Sequence, residues 1–317
     1  MMRTTTGYFF MAEKSYTKPA LTVSQQLEFL FSQGLQIEDQ KLAIRALETV
    51  SYYHLSSYLL PFKQSHNAKN PRQFKENATF EQVWQLYQFD RELRLLVADA
   101  IEKIEVAFRA ALTNVTSIRF NPFWYVERNY FKAKAGANRE RDFFDDYLKT
   151  IKTISTNKQE LFIQHYHKNY DKPYFPPIWM MVEALSFGVC SKMFNNIQSK
   201  DVRNEIASFL GQHTTVIESW IKSLTYTRNL CAHHSRLWNR WLVIPPLIPK
   251  NAPIKTHIDG NYRFQLIAFI IDQLLETIAP ESNWKIKLFE LFERNEQFSG
   301  IEMGFINNWR DDPIWHC

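Results

Sequence analysis

The chain has 317 residues, of which 45% are hydrophobic and 22% are charged, and its formal net charge is +5. This length predicts a sizeable core and, at roughly 150 residues per domain, two domains. Apolar runs such as Leu266 to Ile271 are far shorter than a bilayer-spanning helix, so a membrane protein is not expected, and three cysteines without zinc-site spacing favour reduced thiols in the cytoplasm.

The scarcity of glycine is the main compositional evidence for an all-helical fold. Only eight glycines occur, and none lies between Gly34 and Gly136. This distribution favours long helices over turn-rich sheets. We predict the following segments: a flexible tail over 1–18, a small N-terminal helical module over 19–78, and a larger helical domain over 79–317 with a helical insertion at about 123–172.

Two capping boxes indicate where helices begin in the first third of the chain. Thr22 with Gln25 predicts one helix start, and Thr79 with Gln82 predicts the start of a long helix that continues to about Ser117. In such a box, two side chains satisfy free backbone N–H groups at the helix start.

Three acidic or basic residues outside the main motif are candidate supporting residues. Glu105 and Arg109 are four residues apart in the long helix, a spacing that favours an ion pair. The pair is either a structural salt bridge or a means of orienting site groups. Glu183 is the one charge in an otherwise apolar helix, so we expect it to be buried against a basic residue of the motif helix.

The strongest candidate site is the run TRNLCAHHSRLWNR at 227–240. Thr215 and Glu218 predict a helix start, and nothing breaks the helix before Pro245. A projection at about 100° per residue gives a buried stripe. That stripe consists of Ile217, Trp220, Ile221, Leu224 and Cys231.

The same projection separates the two histidines of the motif. It predicts a cationic face that holds Lys222, Asn229, Arg236 and His233, and it places His234 at the edge of the buried stripe as a supporting residue. An imidazole among arginines and an amide, without a carboxylate on that face, suits cleavage of a polyanion by proton transfer.

RNA fits this pattern because its own 2′-hydroxyl serves as the nucleophile, so no metal or cofactor is required. We expect His233 to transfer the proton, Arg228 to stabilise charge on the phosphate, and Asn229 to position its neighbours or the substrate. Since the reaction needs both an acid and a base, a twofold homodimer with a composite site is predicted.

The charge distribution supports the same surface. Residues 213–263 contain seven Lys or Arg and two acids, so the whole positive excess of the chain surrounds the motif. Lys222, Arg236 and Arg240 are the candidate phosphate-binding residues. The alternative is a solvated basic face without a ligand.

At the motif, the sequence resembles a known family. Arg228-Asn229 followed by His233 is similar to the R-x4-H signature of HEPN-type ribonucleases, and RNLCAHHSRLWN resembles the signature of Abi-like abortive-infection proteins of the D/F type. Residues 51–62 resemble the "YYRLSGYxxPF" element of that family, except for His54 and Ser57 at the usual arginine and glycine. Residues 177–188 are similar to its "PPIWMxxExLSFG" element, and residues 303–309 to its "MGFPxxW" ending, except for Ile306 at the usual proline.

The resemblance implies an all-α HEPN-like helical bundle and a metal-independent endoribonuclease of phage defence. It also implies kinship with the nuclease domains of type VI CRISPR effectors, and a structured small noncoding RNA as a partner. The competing interpretation is a non-catalytic RNA-binding or sensing protein that uses the same cationic face. A membrane-acting toxin is a weaker alternative, because the sequence has no spanning segment.

Overall fold

A computed structural model describes residues 16, 18–65, 68–133, 143–156, 160–258, 260, 262–298 and 300–315. Within these ranges the chain forms twelve α-helices and no β-strand, so the predicted all-α fold is confirmed. The helices are α1 (Val23–Ser32), α2 (Gln40–Thr49), α3 (Tyr52–Leu59), α4 (Phe80–Arg119), α5 (Phe143–Ser155), α6 (Leu161–Asn169), α7 (Ile178–Ala184), α8 (Phe187–Asn196), α9 (Lys200–Phe209), α10 (Thr214–Ala232), α11 (Phe264–Ile278) and α12 (Trp284–Glu293).

The chain divides into two compact units, Met1–Tyr87 and Gln88–Cys317, and the division falls inside α4. The predicted module boundary between residues 78 and 79 stays a prediction. Nearly all of the predicted tail over 1–18 lies outside the described residues, and so does Cys317.

In the first unit, side-chain caps define the starts of the helices. The Thr22 hydroxyl accepts a hydrogen bond from the Gln25 N–H, and the Gln25 side chain accepts one from the Thr22 N–H, so the predicted capping box is confirmed. Asp39 caps α2 through the N–H of Leu42. The imidazole of His54 in α3 lies edge-on to the Tyr87 ring, with 5.9 Å between the ring centroids.

The long helix α4 begins where the sequence predicts. The Thr79 hydroxyl accepts from the Gln82 N–H at 3.2 Å, and the Gln82 side chain accepts from the Thr79 N–H at 3.1 Å. The helix continues for 40 residues to Arg119, close to the predicted end at Ser117. Its interior face in the second unit is apolar and buried over several turns, at Leu93, Val97, Ile101, Ile104 and Phe108.

The core of the second unit includes α11, whose residues 264–272 are all buried. Seven of these nine residues are apolar, the exceptions being Gln265 and Asp272, and a helix that is apolar around most of its circumference is expected to lie inside a large core. It has 15 residues, and no helix in the described ranges has the length and apolar character needed to cross a bilayer.

Helix α10 carries the motif and packs against α8, α9 and α11. The predicted buried stripe is confirmed, because Ile217, Trp220, Ile221, Leu224 and Cys231 are all buried. The proline-rich segment that follows the motif lies along the same helix. There the Trp220 indole donates to the carbonyl of Leu247 at 2.7 Å, and the Ser223 hydroxyl donates to that of Ile244 at 2.7 Å.

The predicted capping box at the start of α10 is wrong. The N-cap is His213 and not Thr215, so the helix begins two residues earlier than predicted, at Thr214, and the His213 side chain makes no capping hydrogen bond. The Glu218 carboxylate forms an ion pair with Arg203 of α9 at 2.6 Å instead of reaching back to Thr215. A tertiary ion pair has therefore replaced the local capping interaction that the sequence pattern suggested.

Candidate functional site

The motif helix ends inside the motif, and not near Pro245 as predicted. Helix α10 runs to Ala232, His233 is its C-cap, and His234 has a left-handed φ of 57°. The N–H of Ser235 donates to the carbonyl of Leu230 at 2.9 Å, and the N–H of His234 donates to that of Cys231 at 3.1 Å. This bonding pattern is a Schellman motif, in which a non-glycine residue occupies the position that usually requires glycine.

This ending changes the positions of three predicted residues. His234 is exposed, so its predicted location at the edge of the buried stripe is wrong. Arg236 and Arg240 lie in the loop beyond the helix. The predicted projection of Arg236 on the cationic helix face is therefore also wrong, and Arg240 is not in the helix that was expected to continue toward Pro245. In that loop the Nε of Arg240 donates to the carbonyl of Arg236 at 2.8 Å. Of the predicted cationic face, Lys222 and Asn229 are exposed on α10, and His233 is exposed at its C-cap.

Arg228 lies in the last turn of α10 and contacts two acceptors. One guanidinium nitrogen is 3.2 Å from the Asn229 side-chain oxygen, and another is 3.5 Å from a carboxylate oxygen of Glu105 in α4. The Arg228 side chain is one-third exposed. Arg228 is thus held from one side while part of it faces solvent.

His233 is exposed and lies five residues after Arg228. Five residues correspond to about 140° around a helix axis and about 7.5 Å along it. The two side chains of one chain therefore leave α10 in different directions.

The predicted ion pair between Glu105 and Arg109 is confirmed, and Glu105 also contacts Arg228 of the motif. The Nε of Arg109 is 3.2 Å from the Glu105 carboxylate, which also faces Arg228. Arg109 further donates to the carbonyl of Leu185 at 2.7 Å and to that of Val182. These carbonyls lie at the C-terminal end of α7, where orphan backbone acceptors need donors. Glu105 and Arg109 therefore connect α4 to both α7 and α10.

The expectation for Glu183 is wrong. It is exposed on α7, whereas Ile178, Met181 and Val182 of the same helix are buried. Since α7 has only seven residues, its apolar side chains determine which face turns inward. The carboxylate that reaches Arg228 comes from Glu105 of α4.

Asp90 in α4 is a residue that the sequence reasoning missed. It is fully buried and forms an ion pair with Arg94 of the next turn. One of its carboxylate oxygens accepts hydrogen bonds from the N–H of Leu237 at 3.0 Å and from that of Trp238 at 2.6 Å. A buried carboxylate is costly unless it is paired and hydrogen-bonded. Asp90 therefore holds the loop that follows the motif helix, and its four-residue spacing from Arg94 was the available sequence signal.

The last residues of the motif also have structural contacts. Leu237 and Trp238 are buried. The side-chain oxygen of Asn239 accepts from Arg263, which also donates to the carbonyl of Glu302 at 3.1 Å. The part of the motif after His234 is thus held by α4 on one side and by the C-terminal segment on the other.

The two described cysteines are free, buried thiols. Burial raises the pKa of Cys190 to about 12 and that of Cys231 to about 12, so both are protonated near neutral pH. Among the described residues, no three His, Cys, Asp or Glu side chains cluster as metal ligands would. The histidines of α6 have separate local contacts, since the His167 Nε2 lies 3.1 Å from the Ser155 carbonyl and His165 contacts Asn169.

Comparison with known protein families identifies the family to which the chain belongs. The family model described as Abi-like protein matches residues 45–239, which is more than half of the chain and includes the motif up to Asn239. The chain belongs to the Abi-like protein family, and this membership points to abortive-infection phage defence. Searches of curated proteins and of solved structures each found no significant match.

Proposed function

We propose that this Abi-like protein is a metal-independent endoribonuclease of the HEPN type, with His233, Arg228 and Asn229 at its centre. The observation that carries the proposal is the end of α10. There the C-cap residue His233 is exposed, and the guanidinium of Arg228 in the last turn contacts Glu105 while one-third of the Arg228 side chain is exposed. An imidazole titrates near neutrality, and a guanidinium binds phosphate oxygens.

The proposed reaction is a transesterification within the RNA. The 2′-oxygen attacks the adjacent phosphorus, and the bond from phosphorus to the 5′-oxygen breaks. One group removes the proton of the 2′-hydroxyl and another protonates the departing 5′-oxygen. The products are a 2′,3′-cyclic phosphate and a 5′-hydroxyl, so the atoms and protons balance without a further reactant.

Arg228 stabilises the negative charge that builds on the phosphate oxygens. Glu105 positions it, because this carboxylate also binds Arg109, which is anchored to the end of α7. Asn229 contacts the same guanidinium and limits its orientations. Lys222 is exposed on α10, and Arg236 and Arg240 lie in the loop; these three bind phosphates on either side of the reacting one.

The second proton-transfer group has two candidate sources. One is a second copy of the chain in a twofold homodimer, which is supported by the different directions in which Arg228 and His233 leave α10. The other is His234, which is a second exposed imidazole in the same chain. Titrating wild-type protein with His233→Ala protein distinguishes them, because exchange of subunits lowers cleavage only if each site needs His233 from both copies.

The proposal is tested by incubating the pure protein with RNA in EDTA and mapping the ends of the products. We expect cyclic-phosphate ends with wild type and their loss in Arg228→Ala and His233→Ala. His213→Ala is the matched control, since it removes an exposed imidazole at the opposite end of α10. Full cleavage by both site variants would show that the site is wrongly assigned.

The competing function is RNA binding or sensing without cleavage. It is supported by Lys222, Arg236 and Arg240, which can bind phosphates even if Arg228, held by Glu105 and Asn229, takes no part in cleavage. Binding of RNA without any new ends in the same assay would establish that function instead. A structured noncoding RNA remains the proposed partner in either case, and gel-shift titration with RNAs copurified from the native host tests it.

A further inference from the structure

The helical insertion contains a groove formed by the end of α5, one face of α6 and the segment before α7. Its volume is about 510 Å³, within the range of about 300–1,000 Å³ that is usual for small-ligand sites. Ile163 of α6 lines it and is almost completely buried, so the base of the groove is apolar. The residues that line the groove all lie outside α10.

Two aromatic rings line this groove. The His167 and Tyr174 rings are 5.3 Å apart between centroids and inclined by 45°. The carbonyl of Ser155 is 3.1 Å from the His167 Nε2 and holds the imidazole in place. Tyr174 is 53% exposed, so much of its phenol ring faces solvent. The groove thus presents a partly open aromatic surface beside a fixed imidazole.

Two polar side chains line the same groove. Gln164 and Lys168 are one turn apart on α6, and both are exposed. An amide has both a hydrogen-bond donor and an acceptor, as the Watson–Crick edge of a base requires. A lysine ammonium binds phosphate as a point charge. The groove therefore combines the ring of Tyr174, the amide of Gln164 and the ammonium of Lys168 around an apolar base.

We propose that this groove binds a nucleotide, with the base against Tyr174, its polar edge at Gln164 and its phosphate at Lys168. Stacking of unpaired bases on aromatic side chains is the usual mode by which proteins recognise single-stranded RNA. The nucleotide is either an unpaired residue of an RNA or a free nucleotide. Only the first source rests on the proposed function, since a free nucleotide would bind without any cleavage.

The test uses full-length protein that carries Arg228→Ala and His233→Ala, so that the RNA is not consumed. Fluorescence anisotropy measures binding of a labelled single-stranded RNA hexamer, and AMP and UMP serve as competitors. Tyr174→Ala is expected to weaken nucleotide binding about tenfold, the effect of losing one stacked base. Tyr174→Phe is expected to retain binding, because the ring is preserved.

The insertion offers matched controls. Tyr170 is 57% exposed and lies four residues before Tyr174, but it does not line the groove. Tyr170→Ala is therefore expected to change binding by less than about twofold. Lys168→Gln should weaken binding and reduce its salt dependence, whereas Lys172→Gln at an exposed position outside the groove should not.

Competition by AMP or UMP at millimolar concentration would identify a free-nucleotide site, and binding of the hexamer alone would identify an RNA site. Equal effects of Tyr174→Ala and Tyr170→Ala on every ligand, with unchanged melting temperatures, would overturn the proposal. The two proposals fail separately. A wild-type protein that binds nucleotides through Tyr174 but never cleaves RNA would contradict only the ribonuclease assignment.

Discussion

The two halves of the motif have different environments although they adjoin in the chain. From Arg228 to His233 the residues lie at the end of α10, and the polar side chains Arg228, Asn229 and His233 all reach solvent at least in part. From Leu237 to Asn239 the backbone and side chains are bound by Asp90, Arg263 and the C-terminal segment. The first half thus has side chains that a substrate can reach, and the second half is fixed in place by its hydrogen bonds.

This difference shows how one short sequence motif can combine two roles. A loop that places charged residues beside a site must have a fixed conformation. The buried carboxylate of Asp90 fixes the conformation of this loop through its hydrogen bonds to the loop backbone. Substitutions in the first half should therefore change activity with little effect on stability. Substitutions of the residues that hold the second half, such as Asp90, should lower stability more than they change the chemistry of the site.

The largest expected effect is on activity, in the first half. His233→Asn should lower the RNA cleavage rate by about 10²- to 10⁴-fold, because the proton-transfer group is lost. The exposed position predicts a change in the free energy of unfolding of less than about 0.5 kcal/mol. Single-turnover cleavage and urea denaturation measure the two quantities, and a large loss of stability would contradict the division between the halves.

The largest expected effect on stability is in the support of the second half. Asp90→Ala should lower the free energy of unfolding by about 3–5 kcal/mol, because it removes a buried ion pair with Arg94 and the acceptor of the N–H groups of Leu237 and Trp238. Urea denaturation measures this loss. The matched control is Asp99→Ala, which removes an exposed pair with Lys103 of the same spacing and should cost less than about 1 kcal/mol.

The same variants give a local readout at Cys231. Burial raises the pKa of this thiol to about 12, so alkylation at pH 8 should be slow in the wild type and in Asp99→Ala. Since Asp90 and Arg94 lie near this thiol, Asp90→Ala should make it react faster. Mass spectrometry after brief alkylation identifies the modified cysteine. Equal rates in the two variants would show that Asp90 does not hold this region.

A smaller effect is expected at the contact between α4 and the motif. Glu105→Gln keeps the shape of the side chain but removes the charge between Arg109 and Arg228. If Glu105 positions Arg228, cleavage should fall by about tenfold, a loss of transition-state stabilisation of about 1.4 kcal/mol. The loss should appear in kcat and not in KM. Glu183→Gln is the control on the exposed side of α7, and an equal loss there would contradict the assignment.

The smallest expected effect is a gain in stability at the boundary between the halves. His234→Gly should raise the free energy of unfolding by about 0.5–1 kcal/mol, since a left-handed residue without a β-carbon is less strained. His234→Ala keeps the β-carbon and should bring no such gain. Thermal and urea unfolding of both variants provide the comparison. If cleavage falls in both, His234 supplies the second proton-transfer group.

Local interactions determined what the sequence predicted correctly. The capping boxes at Thr22 and Thr79 involve residues three apart, and the buried stripe of α10 follows from helical periodicity. The pairing of Glu105 with Arg109 depends on one turn of helix. The all-α fold likewise follows from local preference and apolar spacing. Each of these features needs only neighbours along the chain.

Tertiary structure decided the features that depend on distant residues. The loop after His234 is held by Asp90, which lies 147 residues before Leu237, and no glycine or proline at that point announces the end of α10. Glu183 faces outward because packing of its apolar neighbours oriented α7, and Arg228 meets a carboxylate from 123 residues away. The sequence by itself therefore determined the helices and the motif residues. Only packing determined where the helix ends and which charges face the site. A buried charge needs an oppositely charged or hydrogen-bonding partner, and the tertiary structure decides which residue that partner is.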